Sequence, residues 1–182
     1  MNILIVGGTS AIAIATARRF ATRNPHFCLL ARNINKMESV RKDLIIRGAA
    51  SAKCLSIDLV DQNQQAVKIK EAFSLFKGFD VVLVCYGSLP NQSQCETNIK
   101  QATDALDCNA LSVIALLATL VPYMENSNRG TIAVVTSVAG DRGRRSNFIY
   151  GSAKAMVSSY LQGLRGKLAK TNISLLEIRP GL

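Results

Sequence analysis

Short apolar runs alternate with longer amphipathic segments from one end of this chain to the other, and that alternation limits the fold more than any other feature. A short apolar run bounded by turn residues reads as a buried strand, and an amphipathic stretch of greater length as a helix. Strands alternating with helices build a parallel sheet covered by helices on both faces. We therefore expect an α/β fold, a doubly wound parallel sheet in three α/β/α layers. Strands are expected at 2–6, 26–31, 52–57, 79–84, 130–136 and 173–178. Helices are expected at 11–23, 35–48, 61–77, 95–127 with a break near 103, and 149–170.

Nothing in the sequence divides the chain: it has no internal repeat, low-complexity tract or Pro/Gly-rich linker, so residues 1–182 are expected to form one domain. With 48% apolar and 19% charged residues the chain is not disordered. The longest nearly apolar stretch, 110–122, is interrupted by Ser112 and Thr119 and is shorter than the ~18 residues that span a bilayer. Met1 and Asn2 lead straight into Ile3, without the basic region and cleavage site of a signal peptide, so a cytoplasmic location is expected. The five cysteines, 28, 54, 85, 95 and 108, form no Cys-x-x-Cys pair; we expect buried thiols and neither disulfides nor a metal site. A net charge of +10 implies attraction to anions. The basic residues are dispersed along helical segments without a nucleic-acid-binding motif, which argues against nucleic acid as the partner.

After the first strand comes Gly7-Gly8-Thr9-Ser10-Ala11-Ile12-Ala13 and then a helix. Small residues there let backbone pass close to a pyrophosphate, and the helix N-terminus favours an anion. A tight strand-to-helix turn without a ligand would look the same. The second strand decides between them: it ends in Ala31-Arg32-Asn33, with no acid for a ribose 2′-hydroxyl and an arginine suited to a 2′-phosphate. Strand three ends at Asp58 and strand four at Gly87, on the same sheet edge. Asp58 fits an adenine or ribose contact and equally the N-cap of the next helix.

Tyr150 and Lys154 stand four residues apart, which stacks a phenol and an ammonium on one helix face. A free tyrosine ionises only near pH ~10, and a fixed cation beside it favours the phenolate. Thirteen residues before Tyr150, Ser137 ends the apolar run 130–136 and so arrives at the C-terminal edge of the sheet, where such folds bind ligands.

With these pieces in this order, the whole chain resembles the short-chain dehydrogenase/reductase superfamily, with its Rossmann-type sheet. The resemblance makes Tyr150 the acid or base, Lys154 the residue that lowers its pKa and holds the nicotinamide ribose, Ser137 the carbonyl orienter, and Asn109 the holder of a relay water. It makes Gly7, Thr9, Ser10, Ile12, Asp58, Gly87, Pro180 and Gly181 cofactor contacts, together with Tyr150 and Lys154. Arg32 fits the family's NADP-preferring pattern. Three departures stand out. Ala11 and Ala13 replace the second and third glycines of the family's first loop, where a methyl group can crowd the pyrophosphate. Val84-Cys-Tyr-Gly87 replaces a stretch whose asparagine braces the sheet. The chain stops directly after Pro180-Gly181 and so lacks the family's usual C-terminal helix and last strand, which leaves the substrate side open.

The resemblance implies an NADP(H)-dependent oxidoreductase acting on a carbonyl or alcohol substrate as a dimer or tetramer. The wording of 7–13, 31–33 and 138–144 is similar to a bacterial subgroup that includes keto-sugar reductases acting on decaprenyl-phosphoryl pentose. Arg142, Arg144 and Arg145, between Ser137 and Tyr150, suit a substrate phosphate, although salt bridges at the surface or a subunit interface are their better-founded use. The alternatives are a non-catalytic nucleotide-binding or interaction protein, and an inactive fragment of a longer enzyme.

Overall fold

The computed structural model describes residues 1–181. Six strands form one sheet: β1 (Asn2–Val6), β2 (His26–Ala31), β3 (Ser51–Ser56), β4 (Val81–Val84), β5 (Gly130–Val135) and β6 (Ile173–Ile178). Their order is β3-β2-β1-β4-β5-β6 and every pairing is parallel. After β3 the chain crosses back past β1 to lay down β4, so strand order reverses between β1 and β4. Ligands bind outside the carboxyl ends of the strands at such a reversal.

Strand side chains alternate between two apolar layers, as a sheet buried on both faces requires. Ile3, Ile5, Phe27, Leu29 and Leu83 pack under α1 (Ala11–Ala21) and α2 (Ile34–Ile46). Leu4, Val6, Leu30, Val82, Val84 and Ile132 pack under α3 (Gln62–Leu75), α6 (Ser112–Ser127) and α7 (Phe148–Leu168). Each fully buried aliphatic side chain contributes about 1.5–3 kcal/mol relative to exposure. On the α1 side, the sheet beyond α1 carries an apolar hollow of about 280 Å³ lined by Ile3, Phe20, Leu83, Val135 and Ile178. Leu176 beside it is 50% exposed.

The segment 95–127, expected to be helical with one break near 103, lies in three helices and a π turn. Short α4 (Gln92–Thr97) is followed by α5 (Ile99–Leu106), a π turn at Asp107–Leu111, and α6. The breaks fall at Asn98 and at the π turn, not near 103. Asn98 stops one helix and starts the next because its side chain accepts from the Lys100 and Gln101 amides. By length and composition the helical run Ile99–Ser127 is sufficient to cross a membrane. In the fold its α6 part is a core helix, with Val113, Leu116, Leu117, Leu120 and Met124 buried against the sheet. Smaller shifts are that β4 begins at Val81, two residues later than expected, and that β3 spans Ser51–Ser56. The cap of α3 is Asp61, which accepts from the Asn63 and Gln64 amides, so Asp58 is not that cap.

Candidate active site

Two connected cavities run along the C-terminal edge of the sheet. One, of about 530 Å³, is lined by Gly7, Thr9, Arg32, Lys36, Asp58 and Cys108 among others. The other, of about 290 Å³, is lined by Ile12, Leu89, Thr136, Tyr150 and Lys154 among others. Both are walled by Ser10, Cys85, Tyr86, Gly87 and Ser88, so they form a single groove with the β1–β4 reversal at its centre.

The loop after β1 is built for close approach. Gly7 has φ +87°, and a Cβ there would collide with the Cys85 carbonyl. The Gly7 and Gly8 amides donate to the Leu30 carbonyl at 2.8 and 3.0 Å, tying the loop to β2. Ser10 caps α1, its Oγ accepting from the Ala13 amide at 3.1 Å, and lies 3.1 Å from the Cys85 thiol. Of the two alanines, Ala13 is 1% exposed and packs into the core, so its methyl group does not crowd the groove. Ala11 does line the groove.

Arg32 and Lys36 mark one end. Asn33 caps α2 by accepting from the Lys36 amide at 2.9 Å, and the two basic residues flank that cap on the groove wall. Among the described residues neither forms a salt bridge. Lys36 escaped the sequence analysis; its position in the first turn after Arg32 was the available signal. Asp58 lies on this wall, its carboxylate accepting from the Val60 amide at 3.1 Å.

Tyr150 and Lys154 mark the other end, on the first turns of α7. Lys154 is 3% exposed, and its Nζ lies 5.6 Å from the centroid of the Tyr150 ring. Burial lowers the Lys154 pKa below the usual lysine value, opposed by the nearby Cys108 and Cys85 thiols. Burial raises Tyr150 above the usual tyrosine value, and the Ser137 hydroxyl, by hydrogen bonding, pulls it down. At neutral pH the phenol therefore carries its proton.

Ser137 follows β5 and starts a 3-10 turn (Val138–Gly140), its Oγ accepting from the Ala139 amide at 3.1 Å. Two glycines, both missed from sequence, bring this turn against α7. A Cβ on Gly140 would stand 2.8 Å from the Ala155 nitrogen, and one on Gly151 2.6 Å from the Ala139 oxygen.

Asn109 sits in the π turn and is fully buried. Its Oδ1 accepts from the Ser88 amide at 3.0 Å, and its Nδ2 donates to the Ala105 carbonyl at 2.9 Å. The side chain thus ties the exit of β4 to the turn, and π turns of this kind recur at functional sites. Tyr86, in the Val84-Cys-Tyr-Gly87 stretch, makes a second tie: its hydroxyl lies 3.1 Å from Ser112 Oγ. Ser112 Oγ donates in turn to the Cys108 carbonyl, and Gln65 donates to the carbonyls of Leu59 and Ser112. Cys28, Cys85 and Cys95 are buried as expected, whereas Cys54 and Cys108 are half-buried. Pro180 and Gly181 do not line either cavity, and Pro180 instead accepts from the Val138 amide at 3.4 Å. Arg142, Arg144 and Arg145 are exposed and, among the described residues, unpaired.

A parallel sheet with a groove at its reversal point, a glycine turn against a helix N-terminus, and a Ser/Tyr/Lys cluster at the far end define a nucleotide-dependent oxidoreductase class of fold. The chain matches the model of the family described as short chain dehydrogenase over residues 1–182, and it belongs to that family. It is 30% identical over 181 residues to an uncharacterized oxidoreductase of Streptomyces coelicolor, covering 99% of this chain and 71% of the relative. It is 28% identical over 183 residues to the NADP-dependent 3-hydroxy acid dehydrogenase of Schizosaccharomyces pombe, covering 100% of this chain and 71% of that one. The solved structure of an NAD+-bound xylitol dehydrogenase superposes with a TM-score of 0.92 at 22% identity, covering 99% of this chain and 69% of the other. An actinorhodin polyketide ketoreductase with NADPH gives 0.91 at 21% identity, with the same coverage. The likeness to these solved structures supports the parallel-sheet fold.

Proposed function

We propose that this protein is an NADP(H)-dependent carbonyl reductase. The observation that carries the proposal is the single groove with Arg32 and Lys36, unpaired among the described residues, at one end and Tyr150 beside Lys154 at the other. The site fits the cofactor: Gly7, Thr9 and Ser10 shape the turn where a pyrophosphate would approach the N-terminus of α1, and Arg32 with Lys36 would meet a 2′-phosphate. Asp58 and Gly87 would flank the nucleoside portions, Ile12 the groove floor near the nicotinamide, and Lys154 its ribose. Bound NADPH supplies the hydride.

The chain's own residues supply the rest. A neutral phenol is the form that donates, so Tyr150 gives its proton to the carbonyl oxygen as charge develops there. Ser137 donates a hydrogen bond to the same oxygen and orients it. Lys154, nearly dry and over the ring face, stabilises the phenolate left behind; Asn109 holds the turn from which a relay water would return the proton. The NADP-dependent relative supports the cofactor preference. The substrate is a small carbonyl compound, with a keto-sugar as the specific proposal and the exposed Arg142, Arg144 and Arg145 available to a substrate phosphate. We place the protein in the cytoplasm, as a homo-oligomer.

Turnover of a ketone panel with NADPH tests this directly. Tyr150→Phe should reduce kcat about 10²–10⁴-fold while NADPH binding is unchanged. Full activity in that variant would remove the proposed acid.

A further inference from the structure

Glu177 lies in the last strand, outside the groove, yet its carboxylate touches every element that carries the Ser/Tyr/Lys cluster. Its side chain is 7% exposed. Oε1 accepts from Thr136 Oγ1 at 2.9 Å, and Thr136 is the residue immediately before Ser137. The same oxygen accepts from Ser158 Oγ on α7, one turn past Lys154 and two turns past Tyr150. Oε2 accepts from Arg179 at 2.9 Å, and the other arm of that guanidinium donates to Asp141 at 2.9 Å. Asp141 closes the 3-10 turn that Ser137 opens.

One buried carboxylate therefore holds the strand end before Ser137, the helix after Lys154 and, through Arg179, the far end of the Ser137 turn. An ionised carboxylate only accepts hydrogen bonds, and it offers enough lone pairs to take all three donors at once. Charge-assisted bonds of this kind are shorter and less compliant than neutral ones. The glycines at 140 and 151 let the turn and α7 approach, and the carboxylate adds directional bonds between the elements that carry them.

We propose that Glu177 is a positioning residue, setting the register between the Ser137 hydroxyl and the Tyr150 phenol. This rests on the carbonyl-reductase reading for its effect on turnover, but the geometric claim stands on the clamp itself. Small displacements of reacting groups are costly, with a misplacement of about 1 Å worth on the order of a hundredfold in rate. Residues that lock such a constellation act without touching substrate.

Glu177→Ala removes the whole clamp. Glu177→Gln keeps an oxygen for Thr136 and Ser158, while its amide NH2 group, a donor, cannot accept from Arg179, so that contact is lost. We expect Glu177→Ala to reduce kcat about 10–100-fold with NADPH affinity held, and Glu177→Gln to recover most of it, when both are assayed well below their melting temperatures. Ser158→Ala, which leaves the carboxylate in place, should fall between them.

A second readout does not need turnover. In protein carrying isotope-labelled tyrosine, the Tyr150 Cζ resonance is identified by its loss in Tyr150→Phe. It should move in Glu177→Ala and return towards its original position in Glu177→Gln. A kcat and a resonance both unchanged in Glu177→Ala would overturn the proposal and leave Glu177 a purely stabilising residue. Absence of turnover in the unsubstituted protein would instead count against the reductase reading, and the resonance alone would then decide the role of Glu177.

Discussion

Gly151 lies so close to Ala139 that a Cβ on the glycine would stand 2.6 Å from the alanine's carbonyl oxygen. The turn that follows Ser137 and the helix that carries Tyr150 thus meet at backbone contact. No side chain separates the hydroxyl-bearing turn from the phenol-bearing helix.

Substituting Gly151→Ala forces these two backbones apart. We expect a loss of about 1–3 kcal/mol in chemical denaturation, since a methyl group is inserted into a filled space. A fall in kcat of more than about tenfold should accompany it, because Ser137 and Tyr150 separate. A variant with native stability and turnover would show that the contact is compliant.

Arg32 and Lys36 are expected to discriminate between cofactors. Each charge-assisted contact to a phosphate is worth about 1.5–3 kcal/mol. Arg32→Ala should therefore weaken NADPH binding about 10–100-fold and leave NADH binding nearly unchanged, with Lys36→Ala showing a smaller effect of the same sign. Equal losses for both cofactors in a fluorescence titration would place these residues elsewhere on the nucleotide.

Glu177 also predicts an acid-sensitive component of stability. The Arg179 guanidinium and the Ser158 and Thr136 hydroxyls hold its carboxyl at about 2, well below the usual glutamate value, against the effect of burial. A group whose folded pKa is depressed stabilises the fold above its unfolded pKa, near ~4.3, and loses that contribution as pH falls through its folded value. Because Arg179 is partly solvent-exposed, the contribution is about 1–2 kcal/mol. Denaturation of the native protein and of Glu177→Gln should differ by that amount at pH 7 and converge between about pH 4 and pH 2. A gap independent of pH would assign the loss to packing.

At Gly7 the backbone adopts φ +87° with no room for a side chain. Gly7→Ala should cost at least about 1–3 kcal/mol from the disfavoured conformation alone, with the contact to Cys85 adding to it. Gly8→Ala is the matched control, because its φ is not positive and a Cβ there meets the Leu29 side chain at 3.2 Å and the Ile5 carbonyl oxygen at an ordinary 3.7 Å. Similar melting temperatures for the two variants would contradict the strained-turn account.

Much of this molecule is legible from sequence because hydrophobic pattern fixes strands well. All six strands lie within two residues of where the apolar runs place them, and Tyr150 and Lys154 line one end of the groove. Features that depend on three-dimensional register are harder to read. The π turn at Asp107–Leu111 adds one residue to a helical turn, which apolar spacing does not mark, so the helix break was expected near 103. Asp58 and Asp61 are both acceptable caps, and only the phase of α3 selects Asp61. Lys36 and Glu177 act across elements: the first joins Arg32 through the α2 cap, the second joins Thr136 to Ser158 across a strand and a helix. Ala13 stands where a methyl group can crowd a pyrophosphate, but, two residues past Ala11 and so about 200° further round α1, it turns its methyl group into the core.

The central claim is a groove that prefers NADPH, and the most direct measurement is a titration of the protein with NADPH and, separately, with NADH, followed by nicotinamide fluorescence. The account predicts saturable NADPH binding at least about tenfold tighter than NADH, with the difference abolished in Arg32→Ala. Equal affinity for the two, or no binding of either, would contradict it.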